Sequence, residues 1–251
     1  MKLILTVVLF MGVVLCTQDL YAVGGISNTK VVVPSTDTVP LDTYEIEPFL
    51  SLQVFDDEDD TKFFDSGLRF TRGFLNNLEA GISASILTYE DSDLVDSDYN
   101  FGDIAAGVKY RFYTLSGLSL AYQGGFTLPT STDDTNWVFE PLGLILTLKF
   151  MNNISVDADF VLVFEESEIF SIVSNLGFGM FVTEIFQPVI ELGYEYSDPD
   201  DFSSSDILSL TGGFTANLND SMTLIVGVTK DIVSENAPDS YTLSSALTVA
   251  F

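Results

Sequence analysis

The stretch Ser240–Phe251, SYTLSSALTVAF, decides the fold. In an extended chain Tyr241, Leu243, Leu247, Val249 and Phe251 fall on one side, and Thr242, Ser244, Ala246, Thr248 and Ala250 on the other. In water such a strand would leave an apolar face and a row of backbone donors open to aggregation. The same period of two recurs upstream. In Tyr44–Phe55, the residues Tyr44, Ile46, Leu50, Leu52 and Val54 oppose Glu45, Glu47, Ser51 and Gln53. Leu78, Ala80, Ile82, Ala84 and Ile86 oppose Glu79, Gly81, Ser83 and Ser85. Ile104, Ala106, Val108, Tyr110 and Phe112 oppose Asp103, Gly107, Lys109 and Arg111. Counted along the chain, the alternation predicts about twelve strands.

The less polar face lacks charge almost throughout, while the other gathers Gly, Ser, Thr and ionisable groups. A small soluble barrel turns its apolar face inward. This pattern is inside out, and it predicts an all-β, outer-membrane type, transmembrane antiparallel β-barrel over residues 44–251. The apolar side of Ser240–Phe251 then faces lipid, and pairing with the first strand removes its edge. An aromatic on the last strand is also the signal expected for the outer-membrane assembly machinery, through Phe251.

Met1–Ala22 reads as a cleaved secretory signal: Lys2 before the apolar run Leu3–Leu15, then Leu20-Tyr21-Ala22 ending small. The single cysteine, Cys16, lies within it, so the exported chain is not a disulfide scaffold. Residues 23–43 form a polar N-terminal segment, either periplasmic or a plug in the lumen.

Acidic residues number 37 against 9 Lys and Arg, for a net charge of -28. That balance repels nucleic acid. The charge is concentrated in six connections, Asp56–Thr61, Glu90–Asn100, Pro129–Trp137, Glu165–Glu168, Ser197–Asp206 and Asp231–Ser240, which hold 22 of the acids and no Lys or Arg. The alternate connections are short. Short turns at one end and longer loops at the other match the outer-membrane pattern, with the acidic loops outside the cell and lipid around the wall. Those loops read either as solvated charge runs or as loose sites for divalent cations. Asp56–Lys62 does not meet the EF-hand spacing, since Thr61 stands where Gly is needed.

Composition also excludes chemistry. There is no histidine, so a Ser-His-Asp or Asp/His site lacks its base. Asp157 and Asp159 share one face about 7 Å apart, but nothing separates their roles as acid and base. No enzyme, cofactor or metal site is expected. The inward face instead carries Arg69, Glu79, Lys109, Arg111, Lys149, Asp157, Asp159, Glu191 and Glu195 as candidates lining a pore. Hairpin geometry predicts Glu79 between Arg69 and Arg111, and Lys149 beside Asp157. These groups either stiffen the interior as ion pairs or form a charged constriction.

Asn100–Thr130, NFGDIAAGVKYRFYTLSGLSLAYQGGFTLPT, resembles an outer-membrane β-barrel family of meta-pathway phenol-degradation, transporter-like proteins. The likeness rests on Gly102-Asp103, on Lys109-Tyr110-Arg111 and on the corner Thr127-Leu128-Pro129-Thr130. Gly67–Ala84 is similar to its hairpin and Ser35–Glu47 to its entry strand, so the likeness spans Ser35 to Lys149. It departs after the corner, where Ser131-Thr132 replaces Gly-Asp. The resemblance implies a barrel and passage of small solutes, hydrophobic or aromatic ones among them. The function expected is therefore a porin-like channel; the alternative is a non-conducting structural or surface-interaction barrel with cation-binding acidic loops.

Overall fold

The computed structural model describes residues 26–27, 30–56, 61–92, 95–131, 136–151, 153–166, 169–199 and 203–251. The signal reading of Met1–Ala22, with Cys16, lies outside the described residues, as does most of the acidic run after Asp56.

The described residues form thirteen strands: β1 (Tyr44–Phe55), β2 (Lys62–Leu75), β3 (Leu78–Ser92), β4 (Val95–Asn100), β5 (Ile104–Leu115), β6 (Leu118–Leu128), β7 (Val138–Phe150), β8 (Ile154–Glu165), β9 (Ile169–Met180), β10 (Phe186–Pro199), β11 (Ser205–Asn219), β12 (Met222–Glu235) and β13 (Ser240–Ala250). Twelve of them close an antiparallel ring, because β1 pairs with both β2 and β13 and β3 pairs with β5. β4 stands outside the ring, paired only with the far end of β3. Closure leaves no edge, which a strand in hydrocarbon requires.

The alternation read from the sequence is the one the barrel uses. Ile82, Ile190, Leu210 and Leu243 lie exposed on the outside, while Glu79, Gln123, Thr147 and Thr211 are buried inside. Rings flank this apolar wall at both ends, as interfacial anchors do. Phe186 and Phe214 pack 5.3 Å apart at the short-turn end, and Phe164 and Phe170 lie at the same spacing toward the loops. The turn between β5 and β6 has both Ser116 and Gly117 at positive φ, the backbone twist of a tight hairpin.

Several expected loops are shorter than the sequence suggested. Glu90–Asn100 was expected to be a loop; instead β3 runs to Ser92 and turns back into β4, with Thr88 opposite Asn100 and Tyr89 opposite Tyr99. β12 likewise runs to Glu235 and β10 to Pro199. Acidic composition marks solvent, not irregular backbone, so the hairpins stay paired where the side chains turn polar.

The seam between β1 and β13 ends in two backbone hydrogen bonds of 2.9 Å, Tyr44 N to Phe251 O and Phe251 N to Tyr44 O. The two rings stack with centroids 5.9 Å apart, and Tyr44 also meets Phe70 and lies under Arg72. Phe251→Asp places a charge in this aromatic belt and removes the stack. The folded, heat-modifiable band in detergent should fall for this variant while the parent gives that band in full. Equal folded yields would remove Phe251 from the closure.

Candidate functional site: an occupied lumen

The interior is not an open bore. Residues 30–39, and Ile26 and Ser27 before them, lie inside it, and Ile26, Lys30, Val33, Thr36 and Val39 are almost fully buried there, while residues 40–42 are exposed at the short-turn end. The wall holds this segment mainly by polar contacts to its backbone.

Two carboxylates act as clamps. Glu191, on β10, accepts the main-chain N–H groups of Val31, Val32 and Val33 at 2.9, 2.8 and 3.0 Å. Glu79, on β3, accepts Ser27 N at 2.8 Å and Val39 N at 2.6 Å, so it ties together two parts of the segment twelve residues apart in sequence. Hydrogen bonds to a charged acceptor are the stronger class, worth about 1.5–3 kcal/mol. A row of N–H groups in an extended segment would otherwise be buried without partners, a cost the barrel wall must meet.

Charge pairing follows the same segment. Lys30 forms a salt bridge with Asp157 and donates to Ser155 Oγ at 3.0 Å. Asp157 also accepts from Thr147 Oγ1 at 2.5 Å, and Thr147 accepts Thr36 N at 2.9 Å. Asp37 meets Lys149 at 2.6 Å and Arg111 at 3.4 Å. Within the wall, Lys109 lies 3.2 Å from Glu79 and reaches Ser27 O at 3.1 Å, while Arg69 pairs with Glu47 at 2.7 Å.

These partners correct two expectations. Glu79 does not sit between Arg69 and Arg111. The ladder puts Lys109 opposite Glu79, Ser83 opposite Arg69 and Asn77 beside Arg111. Lys149 does not pair with Asp157, because Ser155 is its ladder partner and Thr147 is that of Asp157. Sequence reasoning paired wall with wall, and so missed the partners contributed by Ser27, Lys30 and Asp37. Asp157 and Asp159, expected as a carboxylate pair, have separate surroundings: Asp159 is 3.4 Å from Asn175 Nδ2 and takes no part in the Lys30 bridge. Glu195 accepts from Ser197 at 3.3 Å toward the loop end.

Small residues shape the wall to the segment. A Cβ at Gly213 or Gly227 would come within 2.7 Å of Val31, and one at Gly177 would lie 3.2 Å from both Lys30 and Val33. Below the segment, at the short-turn end, a cavity of about 360 Å³ opens; Lys30, Asp37, Thr147, Lys149, Asp157 and Gln187 are among its lining. Among the described residues no group of three His, Cys, Asp or Glu side chains is placed to hold a metal ion.

A family model described as "Putative MetA-pathway of phenol degradation" matches residues 33–247, and the chain belongs to that family. No curated protein matches the sequence. Among solved structures, the barrel is similar to the COG4313 outer membrane channel from Pseudomonas putida F1, at 12% identity and a TM-score of 0.72, over 86% of this chain and 98% of that one. It is also similar to the NanC porin, at 7% identity and 0.58, over 81% and 98%. The β domain of the Bordetella autotransporter BrkA matches at 14% and 0.57, over 84% and 100%. At such identities the likeness establishes an outer-membrane type barrel and no more.

Glu79 and Lys109 are both fully buried. Removing one partner of such a pair leaves a buried charge alone, at a cost of about 3–5 kcal/mol. Glu79→Gln should therefore destabilise the barrel by that order in urea unfolding from lipid, and adding Lys109→Met should restore more than half. Losses that simply add would mean the two side chains are not coupled.

Proposed function

We propose that this member of the family is an outer-membrane channel for passive passage of small cations and neutral solutes. The observation that carries the reading is the largely polar wall: carboxylates, hydroxyls, amides, two buried cations and glycines outnumber the few inward apolar side chains such as Ile145, Val161, Val163, Val189 and Ile225, and a cavity of about 360 Å³ opens at the short-turn end. A polar lining around free volume is what a water-filled lumen requires.

Charge supports the preference. The wall buries Glu47, Glu79, Asp157, Asp159, Glu191, Glu195 and Asp231 inside the barrel, against Arg69 and Lys109, with Arg111 and Lys149 at the short-turn end. The six acidic connections carry no basic residue. A mouth of one sign above a lumen with more acids than bases concentrates counter-ions and repels co-ions. Neutral hydrophobic or aromatic solutes, which the family description brings to mind, meet no charge barrier. In this reading Met1–Ala22 exports the chain, the assembly machinery recognises Phe251, the acidic loops lie outside and gather divalent cations, and nucleic acid is no partner. The competing reading, a non-conducting barrel, draws on the segment that fills the lumen.

Lys149 gives the test. Its side chain is about half exposed at the cavity and pairs with Asp37. An ion pair so open to water is worth about 0–1 kcal/mol, so Lys149→Glu should fold normally. Reversal potentials across a planar bilayer under a KCl gradient should indicate cation preference in the native protein and a stronger one in Lys149→Glu. Anion preference in the native protein would overturn the charge argument, and silence under all voltages would favour the structural barrel.

A further inference from the structure

We propose that residues 30–39, together with Ile26 and Ser27, are a removable gate, seated on a receptor built into the barrel wall, and that their release opens the channel. This rests on the channel reading above.

The wall beneath the segment has two features that a permanent filling would not need. It is shaped for one extended occupant. Gly213 and Gly227 leave the room that Val31 takes, and Gly177 leaves room for Val33 and for the stem of Lys30, which also lies over Gly179. Glu191 then takes three successive backbone N–H groups, and Glu79 takes two more. This is recognition of main chain by fixed carboxylates, with sockets that read only a few side chains.

The same wall is suited to water once the segment leaves. The groups that hold it are Glu79, Glu191, Asp157 and Thr147, all of which hydrate well. Among the described residues its buried apolar clusters are two and small: Ile26 with Val161 and Val163, flanked by Val138 and Val173, and Val31 with Val32 on Val189 and Ile225, flanked by Ala246. A permanent core is made the other way, from close-packed apolar side chains that have no good hydrated state. The segment also forms part of the cavity lining, through Ser27, Lys30, Ser35, Asp37 and Val39, so its departure joins the cavity to the rest of the lumen. It stays tethered to the short-turn end, where Leu41 bridges to Gly73 and Asp42 N donates to Gly73 O at 3.1 Å.

The test locks the gate. Cys16 is the single cysteine, so a Cys16→Ser chain is a clean background. A Cβ built at Gly177 lies 3.3 Å from Val33 Cβ. A disulfide spans about 3.5–4.5 Å between these atoms, so Val33→Cys with Gly177→Cys should cross-link after a small shift. The folded double variant, oxidised with copper phenanthroline, is measured in planar bilayers before and after dithiothreitol. Openings should be lost on oxidation and return on reduction. In Glu191→Ala the clamp is gone, and the open probability should rise roughly tenfold or more, as loss of several charge-assisted hydrogen bonds implies.

A cross-link that forms but leaves conductance unchanged would overturn the gate while the channel reading stands. Failure of the cross-link to form in the folded barrel would overturn the seating itself. Silence in every form, reduced and Glu191→Ala included, would overturn both the gate and the channel. If Glu191→Ala fails to fold, the redox pair alone decides.

Discussion

Backbone polarity governs this protein twice. In the wall, lipid offers no partner to N–H and C=O groups, so every strand must pair on both sides and the sheet must close. The seam of β1 with β13, finished by the reciprocal bonds of Tyr44 and Phe251, meets that demand. In the lumen, residues 30–39 bring their own N–H groups into a buried place without a ladder to join. Side-chain carboxylates meet the demand there, Glu191 and Glu79 above all. The same constraint is thus satisfied by sheet in one place and by clamps in the other.

Those clamps reorganise the charge of the interior. A wall with Asp157, Asp159, Glu191 and Glu195 close together on β8 and β10 would repel itself if left dry. Lys30 enters from the segment and neutralises Asp157, and the N–H groups of Val31–Val33 share the charge of Glu191. At the short-turn end Asp37 does the reverse, standing between Lys149 and Arg111. The segment carries a cation where the wall is acidic and an anion where it is basic. That complementarity fixes its register along the lumen more firmly than its few apolar contacts can.

The fold was legible because two unlike solvents press on two faces of each strand. Ile82 outside and Ser83 inside record lipid and lumen directly, and the period of two survives any detail of packing. The inward address of Arg69, Glu79, Lys109, Asp157 and Glu191 follows from the same alternation. Their partners did not follow. A ladder fixes which wall residues face one another, yet Lys30, Ser27 and Asp37 approach from a segment with no periodicity, across sequence separations that no local pattern encodes. One signal was present: Gly177, Gly179, Gly213 and Gly227 all fall on inward positions of neighbouring strands, where a filled lumen would use larger side chains. Inward glycines mean either empty space or a close visitor. Composition cannot separate the two, because the visitor's own residues, Val31-Val32-Val33, look like any other apolar run.

The glycine sockets also limit what else could occupy the lumen. Glu191 would accept the N–H groups of any extended chain, so the clamp alone discriminates little between peptides. Discrimination comes from Gly213 and Gly227, which admit a β-branched side chain at one position, and from Asp157, which demands a cation one residue earlier. A segment lacking Lys at that place would leave Asp157 buried without its counter-charge, the costly half of a broken pair. Clamp and sockets therefore divide the work: the clamp supplies most of the holding, and the neighbours of Lys30 and Val31 decide which stretch of chain is held. With that segment in place Lys30 pairs with Asp157 and Asp37 with Lys149, so the net charge is unchanged while wall groups gain partners; with it gone those groups meet water. The carboxylates and hydroxyls that hold the segment can bind water as well as main chain, which is the physical condition for one barrel to have two states.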